Sequence, residues 1–154
     1  MQEEDFSLGG DHSRIPSRED WGDFAGDFDA ADAFRNFFGK SNREMQPEFS
    51  KDALMRAQDL RFMPSRPFSY YIKGLADFVL FGSYSGDAPD IANSFISVVQ
   101  DRADSAPWAL ASALNEVNDA LDSIMSNSDR FCTHPEIYGD LTELAKQAKD
   151  KLPN

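Results

Sequence analysis

The stretch from Pro67 to Gly82, PFSYYIKGLADFVLFG, constrains the fold of this chain more than any other. Phe68, Tyr71, Ile72, Leu75, Phe78 and Val79 stand at i, i+3, i+4, i+7, i+10 and i+11, the spacing that stacks side chains on one face of an α-helix. The remaining faces are nearly as apolar: Tyr70, Gly74, Ala76, Leu80 and Phe81 fill them, and only Ser69, Lys73 and Asp77 resist burial. A helix apolar almost all round belongs inside a protein. A membrane span needs about 20 apolar residues and Lys73 and Asp77 interrupt this run, so the spacing predicts a central core helix.

Such a helix needs cover on every side, and a chain of 154 residues can provide it within one domain. A chain of that size buries about 68–70% of the surface its unfolded form exposes. Before the central helix, Ser17 with Asp20 can cap a helix start, and Trp21, Phe24, Phe28, Ala31, Phe34 and Phe38 follow at helical spacing. Gly22 and Gly26 disfavour one continuous rod, so a helix is expected from about Asp27 to Phe38, stopped by Gly39. Pro47 to Leu60 reads as the next helix, with Phe49, Ala53, Leu54, Ala57 and Leu60 on its apolar side.

After it, Ser65-Arg66-Pro67, Asp87-Ala88-Pro89, Ser105-Ala106-Pro107 and Thr133-His134-Pro135 each place a side-chain oxygen two residues ahead of a proline. Each reads as a helix start, because the oxygen can accept from an orphan backbone N–H while proline has none to leave unsatisfied in the first turn. Helices are expected from Ala88 to about Arg102, from Pro107 to Met125, and over a last segment marked by Ile137, Leu141, Leu144, Ala145, Ala148 and Leu152. No stretch alternates with period two for long enough to be a strand, and the short connections predict that consecutive helices pack antiparallel. The fold class is therefore all-α: a single-domain bundle of about six short to medium helices over residues 17–154. Residues 1–16, with too few apolar groups to offset ordering, form a flexible acidic tail.

The motifs that carry chemistry are absent or weak. No phosphate-binding loop and no dinucleotide fingerprint occurs. The DFDAAD run from Asp27 lacks the glycine and glutamate that a calcium loop needs at its sixth and twelfth positions, and suits a helix N-terminus better. With one cysteine, Cys132, and two histidines, His12 and His134, the chain can assemble neither an internal disulfide nor a Cys/His zinc site. Cys132 and His134 are too close along the chain to face each other as nucleophile and base, and the Gly82 to Asp87 loop lacks the order of a nucleophile elbow. No cofactor, no metal and no catalytic residue is expected.

Charge is the remaining signal. The net charge is -12; residues 1–32 hold ten acids against two bases, residues 33–73 eight bases against four acids, and residues 74–136 ten acids against two bases. Acidic surface repels phosphate, which disfavours nucleic acid as a partner, and no membrane segment is visible. The acidic N-terminus lacks the basic and apolar regions of a signal peptide, so cytoplasmic residence is expected. In size, charge and class the chain resembles small acidic helical proteins that neutralise bacterial toxins, a likeness of composition that covers no definable segment. The expected function is binding: an inhibitor or immunity-type module that docks a basic partner through Glu116, Asp119 and Asp122 on one helix and the aromatic segment with Trp21 and Phe24. The alternatives are a chaperone or virion-assembly accessory that holds a client on exposed aromatics, and an enzyme whose buried polar cluster the sequence does not reveal.

Overall fold

The computed structural model describes residues 14–84 and 87–153, and every regular element among them is helical. In chain order these are α1 (Phe28–Phe37), α2 (Asn42–Lys51), α3 (Ala53–Arg61), α4 (Ser65–Phe81), α5 (Ala88–Ser105), α6 (Leu114–Ser126), the single turns α7 (Ser128–Phe131) and α8 (Pro135–Tyr138), and α9 (Leu141–Lys151). Short 3-10 segments cover Glu19–Trp21 and Pro107–Ala113. The all-α single-domain expectation holds, with nine helices among the described residues where about six were expected, because the segment read as Pro47 to Leu60 is two helices and the single turns α7 and α8 stand apart from α6 and α9.

The reason is local chemistry at both ends of α2. Ser41 and Glu44 form a capping box, Ser41 N–H donating to Glu44 Oε1 at 2.8 Å and Glu44 N–H to Ser41 Oγ at 3.1 Å, which starts the helix five residues before Pro47. Pro47 then sits inside the helix, on an exposed face. At the far end Asp52 leaves helical geometry (φ -158°, ψ 78°) and its carboxylate accepts from Met55 N–H at 3.1 Å, closing α2 and capping α3 in one residue. Leu54, expected inside, faces outward.

Helix α4 is the centre. Thirteen of its 17 residues are buried, and it packs against α2, α6 and the 3-10 segment Pro107–Ala113, with lesser contacts to α3 and α5. The closest partners are mostly not neighbours in sequence: α6 lies on α9, α3 on α5, and α5 on α9. Tyr71 is fully buried and its hydroxyl lies 2.8 Å from Phe37 O and 2.7 Å from Lys40 O, so it caps the end of α1 from within the core. Burial also pushes that phenol's pKa upward.

The structure departs from the expected plan at three places. In α1 the buried stripe is Ala30, Ala33 and Phe37, whereas Phe28 is 85% exposed and Phe38 partly so. The segment is apolar on two overlapping stripes, and packing of the small alanines against α3 selects one of them. The oxygens of Ser65, Asp87, Ser105 and Thr133 do not cap their helices, although each proline does stand in a first turn. Ser65 Oγ instead accepts from Trp108 Nε1 at 3.2 Å. Finally, Gly139 (φ +75°) ends α8, and Asp140 starts α9 by accepting from Glu143 N–H at 3.2 Å, so Ile137 falls outside the last helix and is 68% exposed. Of the expected tail, residues 1–13 lie outside the described residues; Ile15 packs on the core, and the Arg14 carbonyl accepts from Arg66 at 3.1 Å.

Contact between α2 and α4 depends on Gly74. A Cβ there would fall 2.3 Å from Asn42 Oδ1 and 3.0 Å from Asn42 Cβ. Asn42 cannot swing away freely, because its amide donates to Tyr70 O at 2.9 Å, and Gln46 reaches Gly74 O at 3.0 Å from the next turn. Gly74→Ala is expected to destabilise by about 1–3 kcal/mol despite the better helix propensity of alanine. In an Asn42→Ala background most of that penalty should disappear, and chemical denaturation of the four proteins of this cycle measures the coupling.

Candidate functional site

Where α2 crosses the C-terminal half of α4, the two helices leave a cleft of about 600 Å³. From α2 come Asn42, Arg43, Gln46, Pro47 and Ser50; from α4 and its end come Asp77, Phe78, Phe81, Gly82 and Ser83. Pro47, Phe78 and Phe81 make its walls largely apolar. Phe78 belongs to the core, 5.7 Å from the Phe49 ring, while Phe81 is 80% exposed, against the expectation that it would fill a buried face of the central helix. Among the described residues the cover over α4 reaches Val79, which is buried, and stops short of Phe81.

The charges of the cleft are unequal in setting. Arg43 is exposed, its cation solvated. Asp77 is half-buried on the rigid body of α4. Burial pushes its carboxyl above the ordinary aspartate range, and the negative Glu116 across the α4–α6 contact pushes it the same way. Among the described residues neither Asp77 nor Glu116 is in an ion pair; Arg43 on α2 and Lys73 one turn earlier on α4 are the nearby bases, and neither bridges to it. Burial pushes the Asp59 carboxyl upward as well, but that acid has partners, accepting from Asn36 and from Arg56, both at 2.9 Å.

The residues expected to bind a partner are distributed unevenly. Trp21 is 2% exposed, edge-on to Phe34 at 5.5 Å and against Tyr71 at 6.3 Å, so the 3-10 turn carries it into the core. Phe24 is half-buried, 4.9 Å from Phe34 and under the Arg18 guanidinium. Glu116 and Asp119 share the outer side of α6, Glu116 half-exposed and Asp119 exposed. Asp122 is exposed but ion-paired with Lys149 of α9. Glu116 therefore acts on Asp77 through its charge across the α4–α6 contact, and the aromatic pair lies elsewhere. Sequence reasoning missed Asp77 and Phe81 as a site, because the cleft exists only once α2 is laid across α4.

The weaker chemical candidates are used locally. Asp27 caps α1, accepting from Ala30 N–H at 3.0 Å, and Asp32 pairs with Arg35. Cys132 Sγ lies 3.5 Å from Thr142 Oγ1, and His134 faces Glu136 at 3.6 Å, so this thiol and imidazole do not meet. Part of the Gly82 to Asp87 loop, residues 85 and 86, lies outside the described residues. Among the described residues no helix is long and apolar enough to cross a membrane, and no group of three His, Cys, Asp or Glu side chains is placed to hold a metal. Neither a protein-family model, nor a curated protein, nor a solved structure matches this chain.

Proposed function

We propose that this protein is an acidic interaction module, of the inhibitor type, that docks a basic surface of a protein partner on the face where α4 meets α2 and α6. The observation that carries the reading is a half-buried carboxylate, Asp77, beside a second carboxylate, Glu116, with no cation bridging either among the described residues. Folding disfavours such an arrangement, and an external cation relieves it. Asp119, one turn further along α6, extends the negative field outward, and the net charge of -12 steers a basic partner toward the molecule.

Stability supplies one test. The folded Asp77 carboxyl holds its proton to higher pH than the unfolded one, so the folded state carries more protons between the two pKa values. Stability therefore falls as pH rises through that window, and the penalty is fully present at neutral pH. Asp77→Asn should raise the melting temperature at pH 7 and lose that advantage under acid conditions where aspartate itself is protonated. A lower melting temperature at pH 7 would show that Asp77 is held by compensating contacts and would remove the reading's basis.

Binding supplies the other. With a partner captured from the native source at low salt, Glu116→Gln with Asp119→Asn should slow association by about tenfold at low ionic strength, with the gap closing as salt screens the field. Asp122→Asn should change the rate by less than about twofold, because Lys149 already neutralises that carboxylate. Equal rates for wild type and the double variant at low salt would overturn the reading.

A further inference from the structure

We infer that the α2–α4 cleft takes a cationic amphipathic segment of the partner, which sets an apolar side chain against Phe81 and Phe78 and a lysine or arginine beside Asp77 and Glu116. The inference rests on the docking reading above and names the chemistry of what docks. A volume of about 600 Å³ lies within the range of pockets that enclose a few side chains or a small ligand, and the cleft runs along a groove between two helices, the form that receives one face of an amphipathic segment.

Its apolar wall is offered to solvent. Phe81 projects at 80% exposure from the last position of α4, and Gly82 beyond it has no side chain to cover the ring. The amides on the α2 side are already spent on the fold: Asn42 donates to Tyr70 O, and Gln46 donates to Asn42 O and Gly74 O. An occupant therefore gains little from those two donors and most from apolar contact and charge.

The sign of that charge follows from burial. Arg43 is exposed and well hydrated, so an anionic occupant gains little by pairing with it. Asp77 is half-buried with Glu116 close by, so a cation placed there relieves both desolvation and like-charge repulsion. Lys73, half-buried one turn before Asp77, is the other base on this side and makes no ion pair with it.

The test uses the full chain and two synthetic helical peptides of about four turns, one built from Leu and Lys and its counterpart from Leu and Glu, followed by amide NMR and fluorescence anisotropy. The Leu/Lys peptide should shift the signals of Phe78, Phe81, Gly82 and Ser83 and bind at least about tenfold more tightly than the Leu/Glu peptide. Phe81→Ala and Asp77→Asn should each weaken it by about fivefold or more, with the melting temperature held or raised. No binding at about 1 mM, equal binding of both peptides, or binding that neither substitution weakens would overturn the inference. If Glu116→Gln with Asp119→Asn still slows the natural partner while Phe81→Ala and Asp77→Asn do not affect the peptide, the acidic face stands as a docking surface and only the cleft as its receptor falls.

Discussion

Replacing Phe78 by alanine is expected to lower stability by about 3–5 kcal/mol, and the melting temperature by about 6–20 °C. The ring is 1% exposed, lies 5.7 Å from Phe49 of α2 and 5.2 Å from Tyr84, and so ties α4 to α2 and to the loop that follows α4. Truncation removes both the transfer energy of a phenyl group and the contacts that line the void left behind. Three residues further along the same helix, Phe81→Ala should change stability by less than about 0.5 kcal/mol, because that ring is 80% exposed and folding gains little from it. Urea denaturation of the two variants makes the comparison, which separates a core role from a surface role for identical chemistry on one helix. A loss below about 1 kcal/mol for Phe78→Ala would remove α4 from the centre of the fold.

Arg102→Ala is expected to cost a similar amount, about 3–5 kcal/mol, for a different reason. Arg102 is 8% exposed, and its Nη2 donates to Met63 O at 2.7 Å and to Leu60 O at 3.2 Å. The guanidinium also stands 4.1 Å above the Phe68 ring. These carbonyls close α3 and lead into α4, through a connection in which Pro64 contributes no N–H. One side chain of α5 thus satisfies the end of α3, stacks on α4 and fixes the angle between them. Alanine leaves Met63 O without this donor and opens a void under Phe68. Arg102→Lys keeps the charge but not the planar fork, and should recover only part of the loss. Arg35→Ala, which breaks the exposed pair with Asp32, should cost less than about 0.5 kcal/mol. If Arg102→Ala proved as mild as that, the buried guanidinium would be filling space and nothing more.

Much of the helical plan could be read directly because it depends on signals that act within a few residues. The apolar run from Phe68 to Val79 is buried as its spacing implies, with only Lys73 and Asp77 half-exposed. Gly39 stops α1 with φ +79°, and the lysines near the end of α9 meet its negative pole. Boundaries were less legible where two local signals compete. Proline at 47 suggested a start, but the Ser41–Glu44 box upstream of it is the stronger one, since two reciprocal hydrogen bonds satisfy orphan donors while a proline only avoids adding another.

The site belongs to the other category. Glu116 and Asp119 were visible as carboxylates on the outer side of a helix, but their spacing could not show that Asp122 would be neutralised by Lys149, 27 residues away. Nor could it show that Trp21 would turn inward while Phe81 turned out. Periodicity states which residues share a face of one helix; it does not state which other helix covers that face, or where the cover ends. The sequence alone determined the all-α class, the central position of α4 and the acidic character of α6, because these follow from hydrophobic period and charge within single segments. Only the tertiary structure decided that α2 crosses α4 at Gly74, that the crossing stops short of Phe81, and that Asp77 is half-buried within the field of Glu116. Those depend on contacts between segments more than 25 residues apart, where the outcome is set by packing shape and desolvation.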